Sequence, residues 1–296
     1  MTNDGPAFPV PPLDPALLAE IAALADAMDV LLSRRPQAKE RDLAPLAQRR
    51  QALLARHLGR DPAPACETLH CIGDSNTMFF AGAERLRFIR YRRHGWLRTR
   101  WINRGLDLLP VFRVYHVGPA TAWKAGDHGS STRSREKIEL LLRKEIKPPA
   151  RILLSFGEID CRIHMARAVL DGRPLDETVE RTAEKFTRLP AWLQGLGYRP
   201  VVWGPPQIIP KDENLSSPTF PFIGSLEHRR DVTYAYVARL KEHCARHGIP
   251  CVCLAGLYHP PAERPPLEFF HDGVHLSQRL MPLALQELQR VAAFDC

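Results

Sequence analysis

From Thr68 onward the chain alternates short apolar runs with longer amphipathic ones, and that alternation limits the folds open to it. Strand-like runs fall at residues 69–72, 111–117, 151–156, 200–203 and 250–254. Helical spacing occupies 136–146, 177–193 and 232–247, and a last helix begins near Ser277. In the third of these Val237, Leu240 and Cys244 share a face, and Gly248 ends it. Strands separated by helices predict a parallel sheet, because a parallel crossover needs a helix-length connection that then covers one face of the sheet.

The predicted architecture is therefore α/β: a three-layer α/β/α sandwich around a five-stranded, mostly parallel, flavodoxin-like sheet. Residues 1–64 read as an N-terminal helical extension and 65–296 as the α/β domain. In the extension Asp14-Pro15 starts a helix with Leu17, Ile21, Leu24, Met28 and Leu31 at helical spacing. A second starts at Asp42, carries Leu43, Leu46, Leu53 and Leu54 inward, and stops at Gly59. At 45% hydrophobic and 25% charged, the composition is that of a soluble globular protein rather than a disordered or membrane-embedded one. No apolar run reaches membrane-spanning length, and the N-terminus lacks a basic segment followed by an apolar core. Seven cysteines without CxxC spacing fit a reducing compartment, so a cytoplasmic location is expected. Neither metal nor cofactor is expected, since histidines and carboxylates show no ligand spacing.

In such sheets working residues gather at the carboxyl ends of the strands. The first strand ends in Gly73-Asp74-Ser75, the second in Val117-Gly118-Pro119, and the third in Gly157-Glu158-Ile159-Asp160-Cys161-Arg162. After the fifth comes Phe270-His271-Asp272-Gly273-Val274-His275. A serine hydroxyl is a weak nucleophile at neutral pH and needs a base. His275 can supply one, and Asp272, three residues earlier, can hold its tautomer. The alternative for Asp74-Ser75 is a plain helix cap.

These blocks resemble the SGNH (GDSL-type) hydrolase superfamily over residues 68–295. The GDS block is Gly73-Asp74-Ser75, the second-block glycine is Gly118, and the DxxH block is Asp272-Gly273-Val274-His275. The third block departs: where the superfamily has Gly-x-Asn-Asp, this chain reads Gly157-Glu158-Ile159-Asp160, in the variant string FGEIDCR. The resemblance implies Ser75 as nucleophile, Asp272 and His275 as acid and base, and the Gly118 N–H as an oxyanion donor. It implies an esterase acting on an acetyl or other acyl ester of a carbohydrate or similar polar compound. An O-acyltransferase using the same triad and a non-catalytic binding protein of the same fold are the alternatives. Ile159 cannot donate as asparagine does, so a substitute is needed: Arg162 first, Asn76 second. Arg162 can equally form an ion pair with Glu158 or Asp160. His116, His271 and Cys161 read as structural more than substrate-binding.

The net charge of +8 is concentrated in 85–104, with Arg85, Arg87, Arg90, Arg92, Arg93, Arg98, Arg100 and Arg104 among Tyr91, Trp96 and Trp101. One reading is a solvated crossover helix; the other is a basic rim that favours an anionic small-molecule or glycan ester. No nucleic-acid-binding module is recognisable.

Overall fold

A computed structural model of the chain describes residues 14–34, 40–59, 68–84, 89–90, 102–206, 221–257 and 266–291. The strands are β1 (Leu69–Gly73), β2 (Ile89–Arg90), β3 (Asn103–Arg104), β4 (Phe112–His116), β5 (Arg151–Ser155), β6 (Arg199–Trp203) and β7 (Cys251–Val252). They form one sheet in the order β2-β3-β4-β1-β5-β6-β7. The five expected strands are its parallel core, β4-β1-β5-β6-β7. The strand order is flavodoxin-like, with the first strand flanked by the second and third.

The helices are α1 (Pro15–Arg34), α2 (Glu40–Leu58), α3 (Ala122–Ala125), α4 (Ser134–Lys144), α5 (Ala166–Leu170), α6 (Leu175–Gly195), α7 (Leu226–Arg246) and α8 (Met281–Arg290). Successive strand residues point to opposite faces, and here both faces are dry. Cys71, Leu153 and Val201 join the apolar cluster that holds Ile21 and Leu24 of α1, Leu54 of α2 and Leu288 of α8. Their neighbours Ile72, Leu154 and Val202 join the cluster of α4, α6 and α7, with Ile138, Phe186 and Leu240. The buried stripe expected on the first two helices is seen in Ile21, Leu24, Met28, Leu43, Leu53 and Leu54. Residues of the N-terminal segment therefore form part of one covering layer.

The segment after Ser75 forms a 3-10 helix, Ser75–Ala81, capped by Asp74 and ended by Gly82 at φ +81°. One reading needs correction. The arginine-rich stretch does not read as a helix where it is described. Ile89–Arg90 pairs antiparallel with Asn103–Arg104, which pairs in turn with β4. Arginines on short outer strands discourage further edge pairing, and Arg104 is paired with Asp107. Arg85, Arg87, Arg92, Arg93, Arg98 and Arg100, with the side chain of Arg90, lie outside the described residues, as do Tyr91, Trp96 and Trp101. No helix among the described residues is long and apolar enough to cross a membrane.

Candidate active site

Parallel register sets three loops level with one another. Gly73 lies opposite His116 of β4 and Ser155 of β5, so Ser75, Gly118 and Gly157 each stand two residues beyond the same row. A Cβ on Gly73 would lie 2.1 Å from the Ser155 carbonyl oxygen. Only glycine allows that approach. Asp74 then turns the chain, its Oδ1 accepting from the Asn76 N–H at 2.8 Å.

The loop after β7 returns to this edge. It is closed by the His271 N–H donating to the His275 carbonyl at 3.1 Å and by the Phe270–Leu276 bridge. His275 Nε2 lies 2.8 Å from Ser75 Oγ, and His275 Nδ1 lies 2.8 Å from Asp272 Oδ2. Asp272 Oδ1 accepts from the N–H groups of Val274 and His275 at 2.8 and 2.9 Å, which fixes the carboxylate plane. Burial alone would raise the Asp272 pKa. The hydrogen bonds from His271 and His275 outweigh it and hold the group well below the usual carboxylate range.

Sequence reasoning missed the contact of His271, whose Nε2 lies 3.3 Å from Asp272 Oδ2. Burial opposes charge on that ring, but the Asp272 hydrogen bond prevails and its pKa is raised. His271, Asp272 and His275 bring three possible ligand atoms within 4.8 Å of one another, a spacing that could hold a cation. Such use would break the Asp272–His275 hydrogen bond, so the two roles exclude each other.

The N–H groups of Ser75 and Gly118 donate to no acceptor among the described residues, as free oxyanion donors would. Gly118 adopts φ +109°. Asn76 is buried, and neither end of its side-chain amide has a hydrogen-bond partner among the described residues. It does lie close enough to Asp74 to favour that carboxylate's charged form.

Arg162, the first substitute expected for the missing asparagine, is placed otherwise. Its Nε and Nη2 donate to Glu158 Oε1 and Oε2 at 2.5 and 3.2 Å, and Nη1 donates to the Pro221 carbonyl at 3.1 Å. The ion-pair reading describes it. Burial drives this choice, since Glu158 is as deeply placed as Arg162 and a buried carboxylate needs a partner. Asp160 instead accepts from the Ala122 and Trp123 N–H groups at 2.6 and 3.2 Å, tying the β5 loop to the start of α3. Burial raises its pKa to about 6.

Asp74 is fully buried, and burial together with the Glu158 charge pushes its pKa well up. The sign follows from proton binding: above the unfolded value of 3.8 the folded state holds this proton more tightly, so stability is lost as pH rises through the raised pKa. The stability of the protein relative to its Asp74→Asn variant should therefore fall as pH rises above the usual carboxylate range. Urea unfolding of both proteins checks this, and a difference that stayed constant or grew would show Asp74 to be an ordinary ionised carboxylate.

His116 is neutral, with burial first and the Lys137 charge second lowering its pKa to about 4. Its Nδ1 lies 3.2 Å from Asn103 Nδ2. Cys161 is fully buried in the core, and that burial raises its thiol far above the ordinary value. A cleft of about 660 Å³ opens beside Gly118 and Gly157, lined by Pro119, Thr121, Trp123, Ile159, Ile163 and Met165 among others. Ile159 thus forms cleft wall where an amide was lost. None of Ser75, Asp272 and His275 is part of that lining, which draws on the segments that follow β4 and β5 and on the start of α6.

Fold and site together define the class: an α/β/α protein with a Ser-His-Asp set at the carboxyl edge of its parallel sheet. This is the architecture that the motif resemblance implies. No protein-family model and no curated protein matches the chain. Among solved structures it is similar to Est24, a carbohydrate acetylesterase from Sinorhizobium meliloti, at 15% identity and TM-score 0.45, covering 77% of this chain and 99% of that one. It is similar to the aryl esterase of M. smegmatis at 16% identity and TM-score 0.41, covering 76% and 98%. The OSK domain of Drosophila Oskar matches at 13% identity and TM-score 0.41, covering 75% and 86%.

Proposed function

We propose that this protein is a serine ester hydrolase of the SGNH type. The observation that carries the reading is the unbroken chain Asp272–His275–Ser75, with both links at 2.8 Å. His275 takes the Ser75 proton as Oγ attacks the ester carbonyl, and Asp272 stabilises the imidazolium that forms. The Ser75 and Gly118 N–H groups receive the oxyanion, with the buried Asn76 amide as the side-chain donor in place of the lost asparagine. The alcohol leaves with the proton from His275. Water, activated by the same histidine, then releases the acid. Covalent labelling by a fluorophosphonate probe, with Ser75→Ala as its control, tests this reading.

The cleft supports an acyl group larger than acetyl. Its volume of about 660 Å³ falls in the range of about 300–1,000 Å³ usual for small-molecule sites. Each CH₂ it buries contributes about 0.8 kcal/mol. With p-nitrophenyl esters, kcat/KM for hexanoate should exceed that for acetate by about tenfold or more. Trp123→Ala should narrow the gap. A preference for acetate would remove the cleft from substrate binding.

A further inference from the structure

Lys137 lies in the middle of α4, where helical spacing gives a lysine no reason to be noticed, yet it is only 7% exposed. Its Nζ donates to the Val117 carbonyl at 2.5 Å. Among the described residues no carboxylate comes within ion-pair distance of it. Burial lowers its pKa to about 8 against the raising effect of the Glu136 charge, so the fold keeps an ammonium in a place that disfavours its charge. What the ammonium holds is one peptide plane.

The Val117 carbonyl and the Gly118 N–H belong to the same peptide unit. In a planar trans peptide the two point in opposite directions. A donor that fixes the carbonyl on one side therefore aims the N–H to the other. We infer that Lys137 is a positioning residue for the oxyanion site: by holding the Val117 carbonyl it orients the Gly118 N–H toward the Ser75 edge of the sheet. This rests on the ester-hydrolase reading above.

Two features make the plane need holding. Gly118, at φ +109°, has no side chain to forbid the reversed plane. Reversal would present the Val117 oxygen, an acceptor, where negative charge develops during attack. On the far side the Ala120 N–H donates to the Gly118 carbonyl at 2.7 Å, but that fixes the next plane and not this one. Lys137 is also close by, since a Cβ built on Gly118 would lie 3.5 Å from Nζ. A cation on the carbonyl further polarises the peptide and strengthens its N–H as a donor.

The test compares Lys137→Met, which keeps the length and loses the donor, with Lys137→Gln, which keeps a donor and loses the charge. The readouts are kcat and KM on a neutral p-nitrophenyl ester, and affinity for an alkylboronic acid that forms a tetrahedral adduct with serine. Lys137→Met is expected to lower kcat by about 10- to 100-fold with KM within about threefold, less than outright loss of an oxyanion donor. Boronate affinity should fall by a similar factor, and Lys137→Gln should lie between. A raised KM with unchanged kcat, or boronate affinity equal to wild type, would reduce Lys137 to a packing residue. If Lys137→Met does not fold, Lys137→Gln decides alone by its boronate affinity. A wild-type protein that neither binds boronate nor labels with fluorophosphonate overturns the hydrolase reading and this inference together; a wild-type adduct with unaffected variants overturns the inference alone.

Discussion

Ser75→Ala is expected to abolish fluorophosphonate labelling and to lower kcat by a factor on the order of 10⁶. The size of the effect follows from the geometry. Ser75 Oγ is the atom that His275 Nε2 faces at 2.8 Å, and no other hydroxyl stands in that relation to a histidine backed by a carboxylate among the described residues. His275→Ala should cost about as much, because an unassisted hydroxyl is barely nucleophilic at neutral pH. Asp272→Asn should cost less, about 10⁴-fold, by leaving the imidazole in the wrong tautomer. The sharper check is the double variant Ser75→Ala/His275→Ala. If the three residues act as a unit, it will be no worse than either single change. Labelling that persisted in Ser75→Ala would place the nucleophile elsewhere.

The second large effect is on stability. Arg162→Met should destabilise the protein by about 3–5 kcal/mol, the usual consequence of leaving one member of a buried ion pair unpaired. Both side chains are about 5% exposed or less, so solvent screening offers little relief. The loss is aggravated by position, since Glu158 already raises the pKa of buried Asp74. Without the guanidinium, Glu158 faces that second carboxyl with no counter-charge. Removing the charge as well, in Arg162→Met/Glu158→Gln, should restore much of the stability, and urea midpoints of the three proteins measure it. An unchanged midpoint accompanied by a large fall in kcat would return Arg162 to the oxyanion role.

The candidate triad was legible from sequence because each member sits in a short local motif at a strand end. Parallel topology then implies that such ends share one edge. Arg162 was half legible. Its spacing of four residues from Glu158 allows an ion pair on any helical turn, but spacing does not say whether the guanidinium turns toward a carboxylate or toward substrate. Burial of Glu158 decides it. Lys137 was not legible at all, since lysine on an amphipathic helix ordinarily marks the solvent face. His271 stands beside Asp272 in sequence, and only the fold of that loop shows it sharing the carboxylate with His275.

By itself the sequence determined the five parallel strands and the longer helices α4, α6, α7 and α8. Apolar runs and 3.6-residue spacing are properties of local backbone geometry. It also determined which serine, histidine and aspartate could meet. Tertiary structure alone decided how the pieces face one another. Gly73 is required because Ser155 of the neighbouring strand comes within 2.1 Å of where a Cβ would lie, a close approach that no turn propensity encodes. The arginine-rich segment contributes edge strands because β4 offers an unpaired side. Ser75 and His275, 200 residues apart, reach hydrogen-bonding distance only because the sheet register and the closure of one loop bring their backbones together.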